Sequence, residues 1–133
     1  DFAIWPPEYT VAAGTTLKMA AGLKNDAYDG EAHDFVINVV VEEVPSGVNK
    51  NFVRNWVMFI KSPKTIAIGR HDEIPITFEV PSNAMKGVYL FRVVACYDER
   101  VDGTPVTPDS ASCTSTSENM WGPAAQDFVM TIE

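Results

Sequence analysis

The sequence predicts an all-β chain folded as a single antiparallel two-sheet sandwich. Three observations point there. A hydrophobic period of two recurs in six separate stretches, turn-forming residues lie between them, and no helical stripe exceeds about two turns. Length and composition agree. The 133 residues suffice for one domain with its own core. A content of 46% hydrophobic and 11% aromatic residues excludes disorder.

Taken in order, the chain opens DFAIW, a short apolar run stopped by Pro6-Pro7. In LKMAAGL, Leu17, Met19, Ala21 and Leu23 share one face and Lys18 and Lys24 the other. In DFVINVVVE the inward set is Phe35, Ile37, Val39 and Val41, with Asn38 and Glu42 outward. Residues Asn55–Lys61 admit a short helix, but their β-rich composition favours a strand with Trp56, Met58 and Ile60 inward. Next come Ile74, Ile76, Phe78 and Val80 against Thr77 and Glu79. Tyr89, Phe91, Val93, Ala95 and Tyr97 then alternate with Leu90, Arg92, Val94 and Cys96. Phe128, Met130 and Ile132 close the chain. Strict alternation means half-buried antiparallel strands. AAGTT, NDAYDG, VPSG, KSPK, IGRHD and PSNAMKG supply the reversals. About seven to nine strands at this spacing read as an immunoglobulin-like sandwich spanning 1–133, with strand 1–5 placed in its own sheet or a neighbouring subunit's.

Charge narrows the partners. A net charge of −8 without a Lys/Arg cluster argues against nucleic acid and anionic membranes. No apolar stretch approaches the roughly 18–20 residues of a membrane span, so no membrane insertion by this chain is expected. No signal peptide is apparent, and export would require a targeting segment outside this sequence.

Two stretches carry a family resemblance. They are YTVAAGTTLKMAAGLKNDAYDGEAHDFVINV and TIAIGRHDEIPITFEVPSNAMKGVYLFRVVA. Over about residues 9–97 the cadence resembles the small immunoglobulin-like domains of bacterial and archaeal surface proteins. These are the cell-adhesion-related domains and the modules that accompany carbohydrate-binding domains in secreted glycosidases. Val80–Tyr89 is the most specific part. Pro81 ends ladder pairing, Asn83–Lys86 form a reversal, Gly87 permits a positive φ, and Tyr89 re-enters the core. The resemblance implies an extracellular or cell-surface spacer, adhesion or assembly module without catalysis. The apolar N-terminal run and a long polar loop from about Asp98 to Pro123 depart from it.

The cysteines fit that compartment. Cys96 lies on the strand face opposite the core, toward the loop that ends at Cys113, and a Cys96–Cys113 disulfide is expected to pin this loop. The turn NDAYDGEAHD offers Asn25, Asp26, Asp29, Glu31 and Asp34 as hard oxygen donors for calcium. It fails the EF-hand pattern. With Asn25 first, Ala27 stands third and Val36 twelfth, so a solvated turn is the plainer reading and no cofactor is expected apart from this calcium alternative. His33 and His71 read as exposed turn residues. No His follows Cys113 as a copper site would need.

Catalytic patterns are missing. There is no GxSxG, HExxH, phosphate loop or CxxC, and an enzyme is not expected. The Ser/Thr-rich TPVTPDSASCTSTSE suits a solvated or O-glycosylated loop, and no Asn-x-Ser/Thr sequon occurs. Trp5, Tyr28, Phe52 and Trp121 fall outside the alternation. Trp121 and Tyr28 are the candidates for stacking on a glycan, although edge packing serves them equally.

Phe2, Ile4 and Trp5 remain. Burying each is worth about 1.5–3 kcal/mol, and exposed together they would be an aggregation liability. They read as the sandwich's own first strand, as a strand donated to a neighbouring subunit, or as the stub of a removed helix like that of archaeal pilin-like proteins. The expected function is a non-catalytic structural or assembly domain of a surface filament, surface layer or adhesion scaffold. It would associate with itself as a homo-polymer or with other surface proteins. The alternative is a carbohydrate- or calcium-binding accessory module of a secreted protein.

Overall fold

The computed structural model describes residues 2–4, 7–27, 29–58, 64–97, 113 and 120–133, with backbone alone for 2–4 and 120–125. Nine strands and one helical turn make up these residues: β1 (Phe2–Ile4), β2 (Glu8–Val11), β3 (Thr16–Lys24), β4 (His33–Glu43), α1 (Lys50–Arg54), β5 (Val57–Met58), β6 (Lys64–Ile66), β7 (His71–Glu79), β8 (Gly87–Tyr97) and β9 (Met120–Ile132). They form a four-stranded sheet, β1-β3-β7-β5, and a five-stranded sheet, β2-β9-β8-β4-β6. All neighbouring strands run antiparallel except β2 and β9. This is an immunoglobulin-like sandwich.

Alternation places the core between the sheets. Met19, Ala21 and Leu23 of β3 and Ile74, Ile76 and Phe78 of β7 are buried. From the other sheet come Phe35, Ile37 and Val39 of β4, Tyr89, Phe91, Val93 and Ala95 of β8, and Phe128, Met130 and Ile132 of β9. Phe78, Phe91 and Phe128 join the layers. Phe91 stacks on Phe128 at 5.0 Å, and Phe78 meets both rings edge-on at 5.1 and 5.5 Å.

The turn from β7 into β8 follows its sequence closely. Pro81 O accepts from Gly14 N and Ala84 N. Gly87 has φ +145°, and a Cβ there would stand 2.7 Å from Pro45 Cγ, so glycine is required for the close approach. Tyr89 then donates its hydroxyl to Met85 O at 2.6 Å. This tyrosine corner is a recurring device of immunoglobulin-like sandwiches.

Two local expectations are corrected and a third is refined. The Trp56–Ile60 face is not as read. A helical turn, α1, precedes it, capped by Asn49 Oδ1, which accepts from Asn51 N. Trp56 and Val57 are then both buried while Met58 is 51% exposed. The two-residue β5 pairs only with Phe78 and Thr77, too short a ladder to impose alternation, and Ile60 lies outside the described residues. Strand β9 begins at Met120 and takes in the last four residues of the stretch read as loop, because its ladder to β8 extends to Cys96↔Met120. Asn38 points outward as expected, and it is nevertheless buried because Cys113 covers it.

The tyrosine corner gives a direct prediction. Tyr89→Phe removes one hydroxyl and leaves the Met85 carbonyl without that donor, at a cost of about 1 kcal/mol. Urea denaturation should show a lower midpoint with an unchanged m-value.

Candidate functional site

The edge of the four-stranded sheet is the first candidate. Strand β1 pairs with β3 of its own chain in the register Phe2↔Leu23, Ala3↔Gly22 and Ile4↔Ala21. After residues 5–7 the chain joins the other sheet, where β2 runs parallel to β9 and Pro7 O accepts from Val129 N. Proline has no N–H, so Pro6-Pro7 suits the point where pairing changes sheets. Trp5 and the side chains of Phe2 and Ile4 lie outside the described residues. Strand β3 is nine residues long and bonded to β7 throughout, yet β1 covers only Ala21–Leu23. Among the described residues, no strand pairs with the outer edge of Thr16–Ala20.

At the other end of β3, the acidic turn is organised by its asparagine. Asn25 is fully buried. Its Nδ2 donates to Glu31 O and Ile66 O at 2.9 and 2.8 Å, and its Oδ1 accepts from Ala27 N. Its backbone bonds Arg70 O and Gly69 N. The residue read as a metal donor therefore ties the β3–β4 turn to the β6–β7 turn. The carboxylates are dispersed around it. Asp29 accepts from Glu31 N through Oδ1 and meets His33 Nε2 at 2.8 Å through Oδ2. Asp34 accepts from Thr65 Oγ1 across the β4–β6 ladder, and Asp26 and Glu31 are exposed. Among the described residues no three His, Cys, Asp or Glu side chains gather to hold a metal ion. The Glu31 N–H, with His33 beside it, holds the Asp29 carboxyl below its ordinary value against the opposing effect of desolvation.

His33 was expected in solvent but is only 8% exposed, packed edge-on against Tyr97 and Phe35. Its position opening β4 opposite Ile66 turns the ring inward. His71 stands exposed at the start of β7.

A third assembly sits on the outer face of the five-stranded sheet. Cys96 and Cys113 form a disulfide, buried with Val36 and Val94 under partial cover from Val40. Cys113 O accepts from Asn38 Nδ2 at 2.6 Å, while Asn38 Oδ1 accepts from Arg54 at 2.9 Å. One amide thereby links the disulfide, the sheet and the end of α1. The spacing that pointed to the disulfide gave no sign of Asn38. Farther along this face Arg92 bonds Asp127 at 2.7 Å with Glu42 at 3.9 Å, which raises its already high pKa.

Of the aromatic candidates, Tyr28 and the Trp121 ring lie outside the described residues. Phe52 is 43% exposed and meets Trp56 edge-on at 5.8 Å. No described helix is long and apolar enough to cross a membrane.

No family model and no curated protein matches the chain. Solved structures do. A family 123 glycoside hydrolase from Clostridium perfringens, known for glycolipid glycan hydrolysis, aligns at a TM-score of 0.58 and 10% identity. The alignment covers 95% of this chain but only 22% of the hydrolase chain. The PapD-like domain 7 of human CEP192 aligns at 0.48 and 10% identity, over 99% of this chain and 83% of that one. The class 5 fimbriae chaperone CfaA aligns at 0.45 and 14%, over 98% and 55%. At such identities the likeness to the hydrolase shows the fold alone.

Two predictions follow from these sites. The disulfide closes 17 residues, and on loop-closure entropy the Cys96→Ala/Cys113→Ala pair lowers unfolding stability by about 3 kcal/mol, read from the denaturation midpoint. Because the folded-state pKa of Asp29 is depressed, its contribution is complete above the ordinary value of 3.8 and lost as pH falls through the folded pKa. Asp29→Asn should therefore flatten the decline of stability with acid below about pH 4.

Proposed function

We propose that this chain is a non-catalytic structural or assembly domain acting outside the cytoplasm, in a surface filament, surface layer or adhesion scaffold. Its interface is the β1–β3 edge. The observation that carries the reading is the mismatch of lengths. Nine residues of β3 present an outer edge of which β1 covers three. An edge of unpaired backbone N–H and C=O groups is a template for another chain's strand.

Exchange of β1 between copies is cheap in free energy, because a neighbour's Phe2–Ile4 makes the same register against Ala21–Leu23. Proline-rich linkers favour stiff, extended backbone, so the Pro6-Pro7 sequence suits a strand that reaches out to a neighbour. The disulfide supports the compartment, since such bonds persist in oxidising surroundings. Support for a non-catalytic role comes from the carboxylates themselves. Asp29, Asp34 and Asp127 are engaged in holding turns and strands together.

Light scattering on the full chain across a concentration range should show oligomers that disappear in a variant lacking residues 1–7. That variant should stay folded and bind a peptide of residues 1–8 in trans. A full chain that is monomeric at every concentration, with a truncated form indifferent to the peptide, would contradict the proposal.

A further inference from the structure

A groove opens at the end of the sandwich where β4 and β7 finish and β8 begins. Its walls are the approach to α1, with Gly47, Val48, Asn49 and Phe52, and the β7–β8 turn, with Asn83 and Met85. Tyr89 forms part of its floor, and the groove encloses about 200 Å³.

The lining is rigid where it is apolar. Phe52 rests edge-on against buried Trp56, which packs 5.3 Å from Tyr89, and the Tyr89 hydroxyl is committed to Met85 O. Above this support Phe52 and Met85 are 43% and 49% exposed. The polar groups are carboxamides. Asn49 Oδ1 is used by Asn51 N, while its NH₂ and the whole Asn83 amide have no partner among the described residues. One ring behind the lining, Trp56 Nε1 is buried and likewise without a hydrogen bond.

Charge and size select the ligand class. None of the described residues lining the groove is charged at neutral pH, although the chain carries −8. An anion would find no cation here, and a cation no carboxylate. A purely apolar side chain would strip water from two amides without replacing their hydrogen bonds. A volume near 200 Å³ lies below the roughly 300–1,000 Å³ of sites for larger ligands and restricts the occupant to about one ring. We propose that the groove between α1 and the β7–β8 turn binds a neutral pyranose, its C–H surface against Phe52 and Met85 and its hydroxyls on Asn49 and Asn83. This site is separate from the β1–β3 edge and stands or falls independently of it.

Titration of the ¹⁵N-labelled full chain with methyl β-D-glucopyranoside, methyl β-D-galactopyranoside and methyl N-acetyl-β-D-glucosaminide tests this at millimolar concentrations. At least one glycoside should shift backbone amides confined to residues 47–52 and 83–89. Phe52→Ala should weaken that binding at least about tenfold. Asn83→Ala, which trims an exposed side chain that holds nothing in the turn, should weaken it without moving the thermal midpoint. Silence toward all three glycosides overturns the proposal, as does binding that both variants retain. Shifts produced equally by p-cresol, or by raising protein concentration alone, would assign the groove to an apolar group or a second copy and overturn it as well.

Discussion

The contact on which the rest depends is the triangle of Phe78, Phe91 and Phe128. Two of these rings lie on adjacent strands of the five-stranded sheet and the third on the central part of the other sheet. Side chains alternate across a strand with period two, so a one-residue slip in β7, β8 or β9 would turn a phenylalanine to solvent. Burial of the three rings therefore fixes register in both sheets together. Edge-on and stacked contacts at 5.0–5.5 Å add a geometric preference to the area removed from water. With these strands fixed, Tyr89 reaches Met85 and Cys96 comes to lie on the outer face.

Where a strand is long and one face is dry, its sequence was enough to read it. Strands β3, β4, β7, β8 and the end of β9 alternate as expected because the core enforces their faces. The turn at Gly87 was legible for a different reason. Only glycine tolerates both its φ and the approach of Pro45. Reading failed where position depends on contacts distant in sequence. Asn25 looked like a solvated donor, yet its partners are backbone groups of Glu31, Ile66, Arg70 and Gly69. Asn38 obeys its alternation and points outward, but a disulfide-tethered residue 75 positions away buries it. His33 followed the same pattern. One helical turn is too short to leave a period, so α1 passed unseen. The groove beside it arises from two segments some 35 residues apart, and only the lone aromatic Phe52 hinted at it.

The sheet edges differ in how they are closed. Strands β5 and β6 are two and three residues long, short enough to offer little to a partner. Strand β2 is held parallel along β9 by four paired residues. The edge of β3 is long by comparison, and an exposed Lys18 stands midway along the part that no described strand covers. A lysine at that place opposes indiscriminate stacking of edges while leaving the Ala21–Leu23 segment to a strand of defined register. Among the described residues, the domain thus combines a core that tolerates no slip with a margin where pairing is incomplete. The assembly role proposed for this domain needs both properties.

Exchange of β1 is most directly measured by cross-linking two different copies. Ala3 and Gly22 are register partners, and directly opposed residues in an antiparallel pair lie within disulfide reach. Ala3→Cys and Gly22→Cys are prepared as separate proteins, mixed at high concentration and oxidised gently. A disulfide-linked heterodimer joined between positions 3 and 22 is the expected result. Its absence, when an Ala3→Cys/Gly22→Cys double variant closes efficiently within one chain, would contradict exchange and leave β1 as a strand of its own sandwich.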